Sequence, residues 1–427
     1  MEKSLVIGLK CVVCEASLET SGDDAQQQIW MTCEQCADGE AVLDIHYDLS
    51  AVRAAWDKNP LTKRPRNHWR YEELLPLAPD AVPHHWQVGW TPVVDSPRMA
   101  QSIGVKQLVL KDEGRNPSAS FKDRASSVGV AHALQVGAKT IACASTGNAA
   151  TSLACHAALA GLPAKIFVPH TAPEPKLAQL LVYGATVYSV EGTYDEAYHL
   201  CSAACAEFGW YNRNCAINPV LVEGKKTGGL EIAEQSLDVG GVPDWVAVSV
   251  GDGCTIAGIW KGMVEMRELG VIDRLPRLLG VQAAGVAPIK EALVTGKLPP
   301  LGNGTTMADS IDVQAPRNWR KAVRAIRDSE GVIVTVSDEE IIDAMRLGGR
   351  YGIFAEPAAA AALAGVVSAR KEETIVADDR VLTMITGSGL KDTRSAIRAG
   401  GEPTSVAPDL EAIARAEQDS GDKKHAS

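Results

Sequence analysis

Lys122 is the first residue whose setting suggests chemistry. It lies in the run Asn116-Pro117-Ser118-Ala119-Ser120-Phe121-Lys122-Asp123-Arg124, where an irregular segment gives way to a helical pattern. The positive end of a helix dipole disfavours a cation, so a lysine there is expected to have a lowered pKa and to serve as an amine nucleophile. A second loop, Ser145-Thr146-Gly147-Asn148-Ala149, lies between a short apolar strand and a helix. Its backbone N–H groups and the hydroxyls of Ser145 and Thr146 suit a carboxylate. A third, Gly251-Asp252-Gly253-Cys254-Thr255, follows the apolar strand WVAVSV. Its glycines let backbone approach an oxyanion at a helix start, so it reads as a phosphate cradle, although it has neither Walker spacing nor the full dinucleotide fingerprint. The fourth is Thr386-Gly387-Ser388-Gly389-Leu390-Lys391-Asp392, where flexible glycines would let a ring approach Thr386. Taken singly, the first two loops have ordinary alternatives: an exposed lysine at a plain helix start, and a capping turn.

The N-terminal segment carries a different signal. Cys11-x2-Cys14 and Cys33-x2-Cys36 are separated by eighteen residues. Four thiolates so paired suit a tetrahedral zinc site, and with every ligand drawn from protein its role would be structural. Glu15 and Ala37 follow the pairs, where a knuckle usually has glycine. The other six cysteines lie in or beside apolar segments, and most read as small core residues.

These loops need elements to hold them. From about residue 105, short apolar strands alternate with helical segments: a strand over 105–111, a helix over 121–137, then strands near 140, 164 and 186 with helices after each. Alternation resumes over 245–282 and ends on a strand over 381–386. This pattern predicts parallel sheets covered by helices on both faces, with ligands beyond the carboxyl ends of strands. Residues 46–100 read as irregular structure and short helices, and the charged tail after about 405 as frayed.

The bulk properties exclude several classes. The chain has 427 residues, enough for two domains plus an appendage. A net charge of −11 gives no electrostatic support to a nucleic-acid partner or to an anionic membrane surface. The apolar run Leu5–Leu9 is too short for a signal core or a membrane span. A cytoplasmic location is expected, and free or metal-bound cysteines fit it.

Together the four loops resemble those of the fold-type-II pyridoxal-phosphate (PLP) enzymes, the tryptophan synthase β-like group, and within it the threonine synthase family. NPSASFKDR resembles that family's Asn-Pro-Thr-Gly-Ser-Phe-Lys-Asp-Arg, AVLDIHYDLSAV the segment after the cysteine ribbon, and YGIFAEPAAAAALAG and TGSGLKD late motifs. The resemblance implies an α/β, fold-type-II PLP enzyme with two parallel-sheet α/β domains and an N-terminal zinc-ribbon-like segment. The expected division is a ribbon over 1–45, a discontinuous large PLP domain over 46–124 and 216–427, and a small mobile domain over 125–215. It implies that Lys122 carries the cofactor, Asn148 contacts the ring hydroxyl oxygen, residues 251–255 hold the cofactor phosphate and Thr386 faces the pyridine nitrogen. Ser145, Thr146 and Gly147 match the turn that receives the carboxylate of an amino-acid substrate. The implied reaction converts O-phospho-L-homoserine and water to L-threonine and phosphate, and a homodimer is implied by the resemblance alone.

Two departures bear on the substrate. The family's Asn-Pro-Tyr-Arg-Leu-Glu-Gly-Gln-Lys-Thr appears here as residues 218–227, NPVLVEGKKT, so Leu221 stands where an arginine is expected to bind substrate phosphate. The family's Gly-Asn-Ala-Gly-Asn loop appears with Asp252, whose carboxylate would repel a phosphate. Lys176, Lys225, Lys226 and Lys391 are candidates to replace the missing cation. A fold-type-II ammonia-lyase or β/γ-replacement enzyme for an unphosphorylated amino acid therefore stays open, as does a catalytically silent zinc-binding module.

Overall fold

The computed structural model describes residues 4–19, 29–36, 41–172 and 174–425. Three sheets form among the described residues. The first is small and antiparallel, in the order β2-β1-β3, from β1 (Val6–Cys11), β2 (Ser17–Glu19) and β3 (Leu43–Tyr47). Leu9, Cys11, Cys33, Leu43 and Ile45 are buried, and this face is continuous with the main core.

After α1 (Leu49–Lys58), three 3-10 turns lead to β4 (Val93–Asp95), α2 (Pro97–Ile103) and β5 (Gln107–Asp112). The helix α3 (Lys122–Gln135) follows. Then β6 (Ile141–Ala144), α4 (Asn148–Ala160), β7 (Ala164–Pro169), α5 (Glu174–Val182), β8 (Thr186–Val190), α6 (Tyr194–Phe208) and β9 (Tyr211–Asn212) build a parallel sheet in the order β8-β7-β6-β9. The chain returns through α7 (Val220–Ser236), β10 (Trp245–Ser249), α8 (Cys254–Glu268), β11 (Arg277–Ala283), α9 (Pro288–Thr295), α10 (Trp319–Asp328), β12 (Val332–Val336), α11 (Asp338–Arg350), α12 (Pro357–Lys371) and β13 (Arg380–Ile385). These strands, with β4 and β5, form a six-stranded sheet, β12-β11-β10-β13-β5-β4, parallel except for the edge strand β4. Central strands such as β10 are buried at every residue, as expected of a sheet covered on both faces.

The strand order explains where a site forms. From β10 the chain steps to β11 and β12 on one side, while β13 and β5 lie on the other. The loops after β10, β13 and β5 therefore open a crevice at their carboxyl ends. The helix α7 is buried along almost its whole length and packs against α3 and α8. Gly224 and Gly229 permit this: a Cβ at either would meet backbone of Arg124 or Ile259 at 2.4 and 2.1 Å.

The tail departs from expectation. Residues Leu410–His425 form the helix α14, after α13 (Thr393–Gly400), and the pair Glu411–Arg415 at i,i+4 supports it.

Candidate active site

Lys122 begins α3 because its neighbours anchor it. Asp123 accepts from the Ser118 N–H at 2.8 Å and contacts His156 of α4 at 3.1 Å. Arg124 donates to Glu113 after β5 at 2.8 Å and to Glu231 of α7 at 2.7 Å, and Lys111 of β5 reaches Glu231 at 2.9 Å. All four groups of this network are fully buried, so each depends on its partners for solvation. Phe121 N–H donates to the Thr386 carbonyl at 2.8 Å, bringing the loop after β13 beside the lysine.

Lys122, Asn148, the loop Gly251–Thr255 and Thr386 line one cavity. It is also lined by Lys225, one of the candidate cations, and by Cys215, Ser310 and Glu356, none of which carried a site role in the sequence reading. Burial, and then the neighbouring Lys225 ammonium, holds the Lys122 amine below the ordinary lysine value. The direction matches the sequence expectation, and desolvation and a second cation contribute to it. Among the described residues, the Lys122 amine forms no hydrogen bond or ion pair.

Gly253 caps α8 with φ +89, and a Cβ there would lie 2.9 Å from the Ala322 Cβ. Glycine thus turns the chain so that the first N–H groups of α8, which have no intrahelical acceptor, face the cavity. Asp252 also lines the cavity, but its carboxylate is engaged. Its Oδ1 accepts from the Arg317 N–H at 2.7 Å, near the start of α10. Burial, then Cys215, pushes its pKa up to about 6, which further lessens its charge.

Thr146 and Gly147 line a second cavity with Asp309, Lys391 and Asp392; it shares Asn148, Ser310 and Glu356 with the first. Ser145 lines neither, and its Oγ accepts from the Gly147 N–H at 3.1 Å, shaping the turn. Leu221 is fully buried beneath α3, where a Cβ on Gly129 would meet it at 2.7 Å. It packs two helices and lines neither cavity. Lys225, one turn further along α7, is the cation that reaches the first cavity. Lys226 is instead committed to Glu223 and Glu265 at 2.6 and 2.9 Å, and the side chain of Lys176 lies outside the described residues.

The ribbon cysteines also converge. Cys11 and Cys36 sulfurs lie 3.6 Å apart and Cys14 and Cys33 sulfurs 3.7 Å apart, with all four within 4.8 Å of one another. A tetrahedron with zinc–sulfur bonds of ~2.3 Å has edges of about 3.8 Å, so the spacing fits. Glu15 takes φ +59, the conformation for which the knuckle would favour glycine, while Ala37 lies outside the described residues.

With a buried lysine, a glycine-bounded anion cradle and two joined cavities between parallel sheets, the class can be stated. The sequence profile of the pyridoxal-phosphate-dependent enzymes matches residues 87–387, and the chain belongs to that family. It is 39% identical to the threonine synthase of Methanosarcina acetivorans over 96% of this chain and 98% of that protein. It is 37% identical to the threonine synthase of Methanocaldococcus jannaschii over 95% and 98%. The chain is thus a PLP-dependent carbon–oxygen lyase of the threonine synthase type. Its fold is similar to that of threonine deaminase isoform 2 from Solanum lycopersicum, with a TM-score of 0.63 at 23% identity over 73% of this chain and 87% of that one. Among the described residues, no helix is long and apolar enough to cross a membrane.

Proposed function

We propose that this enzyme converts O-phospho-L-homoserine and water to L-threonine and inorganic phosphate. The observation that carries the reading is the placement of Lys122, the α8 cradle and the extra cation Lys225 in one cavity that joins the Thr146–Gly147 turn through Asn148 and Glu356. Such a site can take a substrate with a carboxylate at one end and a phosphate at the other. Lys225 supplies the positive charge that Leu221 lacks.

Lys122, Asn148, residues 251–255 and Thr386 would hold PLP: the cradle binds its phosphate and Asn148 its ring hydroxyl. When bound, PLP supplies an electron sink for negative charge at the substrate α-carbon. Lys122 Nζ, kept readily deprotonated by burial, takes and returns the proton at that carbon. Thr146 and Gly147 orient the substrate carboxylate. The four ribbon cysteines hold a structural zinc ion. Residues 125–215, which contain the four-stranded sheet, act as the mobile part that excludes water. A cytoplasmic homodimer completes the reading.

A second reading, a lyase for an unphosphorylated amino acid, draws on one observation, the apolar Leu221. Assay of O-phospho-L-homoserine with purified, PLP-loaded protein separates the two. Phosphate and threonine appearing together, and lost in Lys122→Ala, is the expected result. Bound PLP without phosphate release, accompanied by 2-oxo acid formation from serine or threonine, would overturn the first reading in favour of the second.

A further inference from the structure

The thiols of two cysteines on the cavity wall have no part in the reaction above. Cys215 lies between β9 and α7, and Cys254 opens α8. Their sulfurs and an Asp252 carboxylate oxygen lie within 4.8 Å of one another. Lys225 Nζ donates to the Cys215 sulfur at 2.6 Å, and the Cys254 thiol faces Asp252 Oδ2 at 3.6 Å. Cys215 and Lys225 are far in sequence from Asp252 and Cys254; only the return of the chain from the four-stranded to the six-stranded sheet brings the two pairs together. Both cysteines are free thiols.

We propose that Cys215 and Cys254 form a reversible thiol–disulfide modification site on the wall of the catalytic cavity, with Lys225 activating Cys215 and Asp252 receiving the proton of Cys254. The two thiols are differentiated. Sharing of the Cys254 proton, and then Lys225 and Arg213 against the effect of burial, draws the Cys215 thiol well below its ordinary value. The same sharing, then burial, pushes Cys254 well above. Cys215 is half-buried and Cys254 is buried, so the activated cysteine is also the less buried of the two.

The oxidant is a low-molecular-weight disulfide. The Cys215 thiolate attacks one of its sulfurs, breaking the S–S bond and releasing one thiolate, which takes a proton from solvent. Cys254 passes its proton to Asp252, and its sulfur attacks the Cys215 sulfur, releasing the second small thiolate, which takes up the proton held on Asp252. Two protein thiols are oxidised and one small disulfide is reduced to two thiols. The new bond ties residue 215, which follows the four-stranded sheet, to the cradle loop of the six-stranded sheet, and removes the negative partner of Lys225.

Neighbouring cysteines differ in setting. Cys201 and Cys205 also interact, but both are buried on α6 and neither lines the cavity. No such linkage is expected there.

The test uses PLP-loaded full-length protein incubated with oxidised glutathione, followed by peptide mapping without reduction. A 215–254 cross-link that dithiothreitol reverses is the expected product. Alkylation at pH 7, followed by mass spectrometry, should label Cys215 first among Cys143, Cys155, Cys201, Cys205, Cys215 and Cys254. Lys225→Met should slow that labelling by about tenfold or more, because the thiolate fraction falls. Glutathione remaining on Cys215 without the cross-link, a cross-link elsewhere, or unchanged labelling in Lys225→Met would each overturn the proposal. Since neither readout involves turnover, failure of the substrate assignment leaves the test intact.

Discussion

Asn148 donates its side-chain amide to both carboxylate oxygens of Glu356, at 2.8 and 3.0 Å. The pair joins α4 of the four-stranded sheet to the start of α12, and it forms the boundary shared by the two cavities. Burial pushes the Glu356 pKa up to about 7, with Asn148 opposing the rise. Glu356, supplied by the motif YGIFAEPAAA, lines the same cavity as Lys122.

The raised Glu356 pKa has a signed consequence for stability. A carboxyl with a folded pKa of about 7 against an ordinary 4.5 binds more protons folded than unfolded between those values. Its protonated form favours folding at low pH, and that contribution is lost as pH rises through about 7. Glu356→Gln should therefore flatten the fall in stability of the cofactor-free protein between pH 5 and 8, by up to about 3 kcal/mol. Denaturant melts across that range check this; parallel curves for wild type and variant would refute it.

Lys225→Met should raise KM for O-phospho-L-homoserine by about tenfold or more, the scale of a lost charge-assisted hydrogen bond of roughly 1.5–3 kcal/mol. Steady-state kinetics on protein whose visible absorbance shows bound PLP makes the measurement. An unchanged KM would remove Lys225 from the substrate site.

Arg124→Ala should destabilise the protein by about 3–5 kcal/mol, since it leaves the buried Glu113 and Glu231 carboxylates without their shared cation. Urea melts test this. A cost below 1 kcal/mol would show that Lys111 alone compensates both acids.

Purified protein should contain about one zinc ion per chain by mass spectrometry, and Cys11→Ser should lose it. Because Cys11 and Cys33 belong to the same buried cluster as Trp30 and Ile45, metal loss should also lower Tm. A full zinc complement in Cys11→Ser would exclude this set of ligands.

Ala119 takes φ +62 immediately before the Lys122 turn, a conformation costly for a residue with a Cβ. Ala119→Gly should stabilise the protein by up to about 1 kcal/mol, the relieved strain exceeding the added freedom of the unfolded chain. Thermal unfolding reads it, and a lowered Tm would show that the strain is absorbed elsewhere.

Much of this protein was legible in the sequence, because the signals are local. Strand, loop and helix follow each other within twenty residues in Ile141–Ala160, and the alternation exposes a parallel sheet. Lys122, Asn148, Gly251–Thr255 and Thr386 all sit where one element hands over to the next, and the four ribbon cysteines come in adjacent pairs. Tertiary packing decided the rest. The helix α7 is buried on nearly every side, so its residues carry no period that distinguishes Leu221, facing α3, from Lys225, facing the cavity. Whether Asp252 repels a phosphate or accepts from Arg317 depends on where α10 ends up, 65 residues away in the chain. The meeting of Asn148 with Glu356, and of Cys215 with Cys254, depends on how two sheets face each other, and that is set by the closure of a long chain rather than by any local pattern.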